Sequence, residues 1–255
     1  MRWTLRPEVL DTLRRLFHID SKDLEWVNGS LICKDAEIKS STLILPGCMI
    51  VGEVEIGGNN VIGPYTVIGA PPQHRDFYSS KLPETGKIVI GNNNIIREFV
   101  TVHLPTEGET VIGDNCFLLA YVHLGHDVIL GNNVTLSNNT QIGGHSTIKD
   151  NVITGLNTCI HQYTTLGAYS MIGMGSIVVK DVPPFVVYKN FICYKINEVG
   201  LERAGFNTSE IEEIKKYYKE FLDIDKITSL RVKKHLIDFL NTRNSNRKIA
   251  EVDIS

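Results

Sequence analysis

The chain has little that would direct it to a membrane, an oxidising compartment or a polyanion. No stretch approaches about 18 uncharged apolar residues, so none reads as membrane-spanning. The opening run Met1-Arg2-Trp3-Thr4-Leu5-Arg6-Pro7 lacks an apolar core leading to a small-residue cleavage site, so no signal peptide is expected. Cysteine is scarce: Cys33, Cys48, Cys116, Cys159 and Cys193 are odd in number, far apart and never at metal-ligand spacing. That excludes a disulfide framework and fits reduced thiols in a cytoplasm. Lys plus Arg is 26 against 29 Asp plus Glu, a net charge of −3, which gives no overall pull toward nucleic acid or anionic lipid. Charged residues make up 22% and apolar residues 42% of 255, so wholesale disorder is excluded and a buried core is within reach.

What the chain has is a period of six. Aliphatic residues fall at Ile32, Ile38, Ile44, Ile50, Ile56, Ile62 and Ile68. The series restarts at Ile90, Ile96 and Val102, and again at Ile112, Leu118, Leu124, Leu130, Leu136, Ile142 and Ile148. It then runs through Thr154, Ile160, Leu166, Ile172 and Val178, with Thr154 alone out of type. Gly often follows, as at Gly57, Gly63, Gly131 and Gly143. Six is neither a helical period nor strand alternation. It is the hexapeptide signature of a β-helix. Each hexad supplies one short strand and a corner, and three hexads close a coil. Stacked coils pair as parallel strands and bury an aliphatic column. The fold expected is mainly β: a left-handed parallel β-helix of hexapeptide repeats with a C-terminal α-helical domain.

Two insertions interrupt the series. The first, from about Ala70 to Lys87, carries Pro71, Pro72, Gln73, His74, Arg75, Asp76 and Phe77. The second, around Pro105 to Glu109, adds four residues to one hexad. Insertions in solenoids are loops at one edge, often the binding edge, which makes Gln73 and Asp76 candidates for substrate contact. Pro7 with Val9, Leu10, Leu13, Leu16 and Phe17 predicts a short amphipathic helix over 7–17, and Asn28-Gly29 predicts a tight hairpin. After Asp181-Val182-Pro183-Pro184, Ser209 with Glu212 suggests a capping box. Ile211, Ile214, Tyr218, Phe221 and Leu222 then predict one helix, and Leu230, Lys233, Lys234, Ile237 and Leu240 a second. The domains expected are an N-terminal helix and hairpin over 1–31, the β-helix over 32–184 and a helical domain over 185–255.

The period also gives addresses. Hexads three apart lie on one face, roughly 4.8 Å apart. Those beginning at Val102, Leu124, Ile142 and Ile160 contain His103, His126, His145 and His161, with His123 just before Leu124 and Gln162 just after His161. Aligned imidazoles on an aliphatic solenoid suit three chemistries. A neutral histidine can serve as general base. Three histidines can bind zinc, as in β-helical carbonic anhydrases, although His123 and His126 are three apart instead of five. Histidines can also contact a phosphorylated ligand. A purely structural or ice-binding β-helix would instead show flat Thr-rich rows.

The run Ala120-Tyr-Val-His123-Leu-Gly-His126-Asp127-Val, with Gly143-Gly144-His145, Ile160-His161-Gln162-Tyr163 and Arg97-Glu98-Phe99-Val100-Thr101-Val102-His103, resembles the acyl-carrier-protein:UDP-N-acetylglucosamine O-acyltransferase family. Asp181-Val182-Pro183-Pro184 and Gly200-Leu201-Glu202-Arg203-Ala204-Gly205-Phe206 extend the match, which covers roughly residues 50 to 225. The resemblance implies a homotrimer with active sites between neighbouring copies. It implies that His126 is the general base, Asp127 its supporting carboxylate and the Gly144 N–H the oxyanion donor. Strand alternation by itself would point Asp127 away from His126. His103, His123 and His145 match substrate-contacting positions, and His161 with Gln162 the thioester side. Asn197 and Arg203 match the nucleotide-contact motif.

Departures from the family guide the reading of substrate. Met174 stands where the family has glycine in its acyl-chain ruler, and its side chain would shorten the slot. The segment Tyr188-Lys189-Asn190-Phe191 is short, Leu104-Pro105-Thr106 replaces Arg-Gly-Thr after His103, and Val199 and Ala204 replace an expected Glu and Arg. These departures favour transfer of a short acyl or 3-hydroxyacyl group from a thioester, with coenzyme A preferred, to the amino group of a dTDP-linked amino sugar of the anthrose-pathway type. One alternative is the acyl-ACP:UDP-N-acetylglucosamine 3-O-acyltransferase of lipid A synthesis; another is the zinc carbonic anhydrase. No permanently bound cofactor is expected, only acyl-CoA or acyl-ACP as co-substrate. A nucleotide sugar, a carrier and further copies of the chain are the expected partners, without nucleic acid or membrane.

Overall fold

A computed structural model describes residues 23–78 and 86–254. The helix expected over 7–17 lies outside the described residues. The architecture is mainly β, a left-handed parallel β-helix with helices toward the C-terminal end. Two compact units, Met1–Val128 and Ile129–Ser255, divide the chain.

In the first unit the antiparallel hairpin of Leu24–Val27 with Ser30–Cys33 turns at Asn28 and Gly29, both at positive φ (49° and 81°), as the expected tight turn requires. Among the described residues of this unit the strand pairings from Ser30–Cys33 onward are parallel. Ile32 pairs with Ile50, Ile50 with Ile68, Ile68 with Val102 and Val102 with Leu124. The pairing step is therefore 18 residues, lengthening to 34 across the first insertion and 22 across the second. Leu43–Ile44, Val61–Ile62, Ile95–Ile96 and Phe117–Leu118 form a second face. Glu37–Ile38, Val54–Ile56, Lys87–Ile90 and Glu109–Ile112 form the third. The sixth-position residues Ile50, Ile62, Ile68, Ile96, Val102, Leu118 and Leu124 are completely buried. Each such side chain contributes roughly 1.5–3 kcal/mol.

The second unit keeps the 18-residue step. Ile142 pairs with Ile160 and Ile160 with Val178. Leu130 pairs with Ile148 and Ile148 with Leu166. Leu136 pairs with Thr154 and Thr154 with Ile172. Thr154, the exception in the series, is buried, and its hydroxyl is satisfied by Thr140 Oγ1 at 2.8 Å and the Ser137 N–H at 3.2 Å. That satisfies the requirement that a buried hydroxyl be hydrogen-bonded.

Corners use the left-handed backbone region. Asparagine takes it at a corner of the first unit, Asn59, Asn93 and Asn115, and at a corner of the second, Asn133 and Asn151. Asparagine is among the residues that enter this region most readily. Another corner of the first unit uses Tyr65, Phe99 and Tyr121 instead. Their rings form a continuous stack, with centroids 5.5 and 4.9 Å apart and planes within 10° of parallel.

Helix α1 is the short Arg75–Tyr78 inside the first insertion. In the second unit α2 (Glu198–Arg203), α3 (Thr208–Lys219) and α4 (Leu230–Thr242) follow the coils. The capping box of α3 is Asn207 with Glu210, correcting the expected Ser209 and Glu212. Asn207 in extended backbone accepts from the Glu210 N–H at 3.0 Å, while the Ser209 hydroxyl donates to Asn207 and Glu212 pairs with Lys215. Among the described residues no helix is long and apolar enough to cross a membrane.

Candidate active site

In the first unit the parallel pairing of Thr101–His103 with His123–Leu124 gathers the histidine-bearing hexads. The rings of His103 and His123 meet edge-on with centroids 5.0 Å apart. His103 is buried and its Nδ1 lies 2.7 Å from the Pro71 carbonyl, which can only accept, so Nδ1 carries the proton. Burial lowers its pKa, the Pro71 contact opposes this, and the nearby His126 adds to it. His123 Nδ1 lies 2.9 Å from the Thr101 hydroxyl. Burial, with His103 beside it, pushes the His123 imidazole down to about 4. Both rings are therefore neutral at neutral pH.

His126 and Asp127 form a buried pair, Nδ1 to Oδ2, at 2.8 Å. Asp127 lies in the left-handed region (φ 59°), which breaks strand alternation at the corner and turns two successive side chains toward each other. Strand alternation therefore does not hold at Asp127. Burial alone would raise the Asp127 carboxyl. Hydrogen bonds from His126, from the Thr106 N–H and hydroxyl and from the Glu107 N–H outweigh it and hold the group at about 2. An ionised carboxylate only accepts, so His126 Nδ1 carries the hydrogen. Nε2 is then the basic nitrogen, the arrangement a proton-abstracting histidine needs.

The first insertion brings one residue that the sequence reading did not count. His74 packs edge-on against His126 with centroids 5.8 Å apart, and its Nδ1 accepts the Asp76 N–H at 3.3 Å. The signal was present in the Gln73-His74-Arg75-Asp76 run, since the loop returns beside the hexad of Val102. Gln73 is exposed and Asp76 partly so.

The second unit holds the remaining candidates. Gly144 is buried, and its carbonyl accepts the Tyr163 N–H at 2.9 Å. The next residue, His145, is stacked flat on Tyr163 at 4.5 Å. His161 and Gln162 are exposed, with His161 Nδ1 donating to its neighbour's carbonyl at 3.0 Å. Arg247 Nη1 donates to that same Gln162 carbonyl at 3.0 Å. Met174 is 62% exposed. Asn197 caps α2 through the Gly200 N–H at 3.3 Å and donates to the Tyr169 carbonyl at 2.9 Å, so its amide is used in building the fold. Arg203 is exposed.

Comparison with known proteins bears on these residues. Residues 35–70 and 109–144 match the bacterial transferase hexapeptide family, and residues 181–250 match domain 2 of UDP N-acetylglucosamine O-acyltransferase. An acyl-[acyl-carrier-protein]–UDP-N-acetylglucosamine O-acyltransferase of Nautilia profundicola is 37% identical over 176 residues, 67% of this chain and 66% of the relative. The relative of the same name from Aliivibrio fischeri is 36% identical over 223 residues, 71% of this chain and 84% of the relative. The chain thus spans just under two thirds of the Nautilia protein's length. Among solved structures, the Francisella novicida UDP-N-acetylglucosamine acyltransferase superposes with a TM-score of 0.78 at 30% identity, covering 89% of this chain and 94% of that one. The Bacteroides fragilis UDP-N-acetylglucosamine acyltransferase gives 0.76 at 29% identity, covering 89% and 100%.

These relatives overturn transfer to the amine of a dTDP-linked sugar from coenzyme A, and favour the O-acyl alternative. The departures that had suggested an amine acceptor carry less than they promised. Val199 and Met174 are solvent-facing, and position 204 contributes its carbonyl, which accepts from Arg231 at 2.9 Å. None of the three alters the His126–Asp127 pair, which suits a hydroxyl acceptor.

Proposed function

The chain belongs to the UDP-N-acetylglucosamine O-acyltransferase family of hexapeptide-repeat acyltransferases, and from that premise we propose that it transfers an acyl group from acyl carrier protein to the 3-hydroxyl of UDP-N-acetylglucosamine. His126 Nε2 takes the hydroxyl proton as the sugar oxygen attacks the thioester carbonyl. The Gly144 N–H binds the oxyanion of the tetrahedral intermediate. Collapse breaks the carbon–sulfur bond, and the imidazolium returns its proton to the departing thiolate. The single observation that carries this reading is the buried His126–Asp127 pair, whose carboxylate stays ionised and leaves Nε2 as the base. A sugar hydroxyl is a weak nucleophile, so it needs such a base.

The remaining roles follow in the same reading. His103, His123 and His145 face the sugar and phosphates. His161 and Gln162 receive the thioester arm, Gln73 and Asp76 border the acceptor, and Asn197 and Arg203 meet the nucleotide. Met174 limits acyl length. The working unit is a homotrimer with its sites between neighbouring copies. Its support is an outward row of the first unit in which Leu43, Val61 and Ile95 pair in register and are exposed, beside the Tyr65–Phe99–Tyr121 stack. Exposed apolar rows of this kind mark a partner surface.

The test is incubation with UDP-N-acetylglucosamine and 3-hydroxyacyl carrier proteins of graded length, with acyl-CoA as a second donor, read by mass spectrometry. A product heavier by one acyl group, lost in His126→Ala, is expected. No product with any carrier-protein donor would end the reading.

A further inference from the structure

The second insertion adds four residues to a coil whose regular step is 18, and its side chains and amides converge on one group. The Thr106 N–H donates to Asp127 Oδ2 at 2.8 Å, the Thr106 hydroxyl to the same oxygen at 2.7 Å, and the Glu107 N–H to Oδ1 at 2.8 Å. Thr106 is buried, as are Asp127 and His126. The loop then reverses at Gly108 (φ 81°), and a Cβ at Gly86 would collide with the Gly108 carbonyl, so the neighbouring chain is shaped to let the loop pass. Thr110, at the loop's exit, donates to the His103 carbonyl at 3.0 Å and accepts the Asp127 N–H at 3.0 Å. The three bonds to the Asp127 carboxylate are charge-assisted, a kind about twice as strong as neutral ones. A loop without a role in the site has no need to aim three donors at one carboxylate.

We propose that Thr106 is a positioning residue for the transfer: with the Glu107 N–H it holds the Asp127 carboxylate so that Oδ2 faces His126 Nδ1, and thereby fixes which imidazole nitrogen is left to act as base. This rests on the reading of His126 as general base. Without the Thr106 hydroxyl, Oδ2 keeps one donor fewer to fix its direction, so the Nδ1–H contact loosens and the His126 ring can turn. His74 and His103, which lie near His126 in this unit, stay unchanged by the substitution.

The experiment compares wild type, Thr106→Val, Thr106→Ala and Thr106→Ser. With ¹⁵N-histidine labelling, the wild type is expected to show His126 as a single tautomer, protonated at Nδ1. Thr106→Val should show mixed tautomers. Thr106→Ser should restore the single tautomer. In turnover, Thr106→Val should lower kcat about tenfold at pH 7 with KM little changed. A residue that merely supports the fold would lower the melting temperature and leave the tautomer and kcat of the folded protein in place. Thr106→Ala gives the same reading should the valine variant fail to fold. A single wild-type tautomer retained in a folded Thr106→Val or Thr106→Ala protein would overturn the proposal. The spectroscopic arm needs no substrate, so absence of acyl transfer in the wild type would count against the function alone.

Discussion

Asp127 sits in a backbone region that costs a non-glycine residue about 1–2 kcal/mol, and the cost is recovered through the bonds its carboxylate makes. The sign of its pH dependence follows. Its pKa is depressed from the ordinary 3.8 to about 2, so the stability it contributes is fully present above about pH 4 and is lost as pH falls toward 2. The carboxylate side chain is 5% exposed, so the contribution is on the order of 2 kcal/mol. In denaturant titrations, wild type should exceed Asp127→Asn by about that amount at pH 5–8, with the gap closing between pH 4 and 2. In turnover Asp127→Asn should lose about 10²–10⁴ in kcat, because an amide can donate to Nδ1 and favour the wrong tautomer. His123 works in a higher window. Its folded pKa of about 4 lies below the ordinary 6.5, so the fold prefers the neutral ring, and stability falls as pH drops from 6.5 to 4. Melting temperature should decline across that window in wild type and more gently in His123→Gln. Equal slopes would remove the claim.

At the scale of elements, the last coil is tied to the chain's end by a clamp. The Asp181 side chain is completely buried, with Arg243 Nε at 3.2 Å and Arg247 Nε at 3.7 Å, and it accepts the Thr165 N–H at 2.9 Å. Burial nonetheless raises its pKa against all three partners. Desolvation thus outweighs attraction, and the pair is worth less than its geometry suggests. Removing one partner leaves the other exposed to the full penalty. Arg243→Ala should cost about 3–5 kcal/mol in urea denaturation, whereas Asp181→Asn, which removes the buried charge itself, should cost clearly less. The reverse order would show that attraction dominates. Elements also differ in how far they could be read in advance. The sixfold series gave the strand pairs because every hexad buries the same position, and the 22-residue step across the second insertion was countable from the spacing. The meeting of His126 with Asp127 was legible only through the family resemblance; strand alternation argued against it, since a left-handed corner overrides alternation and nothing in a single aspartate announces φ. His74 was hidden because an insertion's return path is set by tertiary packing. Asn207 was passed over for Ser209 because both residue types cap well and only backbone geometry chooses between them.

For the whole molecule, the question is what covers the outward strip of the first unit. Tyr65, Phe99 and Tyr121 are 60%, 41% and 57% exposed while holding a left-handed backbone that asparagine would enter more readily. Stacking gives about 0.5–1.5 kcal/mol per pair, comparable to the backbone cost, so the single chain gains little from choosing aromatics here. In the proposed trimer a gain made on association would supply the missing term, and Leu43, Val61 and Ile95, also exposed, would provide further apolar area for it. Replacing Phe99 and Tyr121 by Asn, together with Ile95→Lys, should therefore leave the coils folded, since asparagine already holds the same backbone at Asn93 and Asn115. It should also abolish self-association. Light scattering on wild type should give about three times the 28.5 kDa of one chain. The triple variant should give a single chain with an unchanged circular dichroism spectrum. If the sites lie between copies as proposed, its turnover should fall with its mass. A variant that keeps the wild-type mass would show that this strip is not where the copies meet.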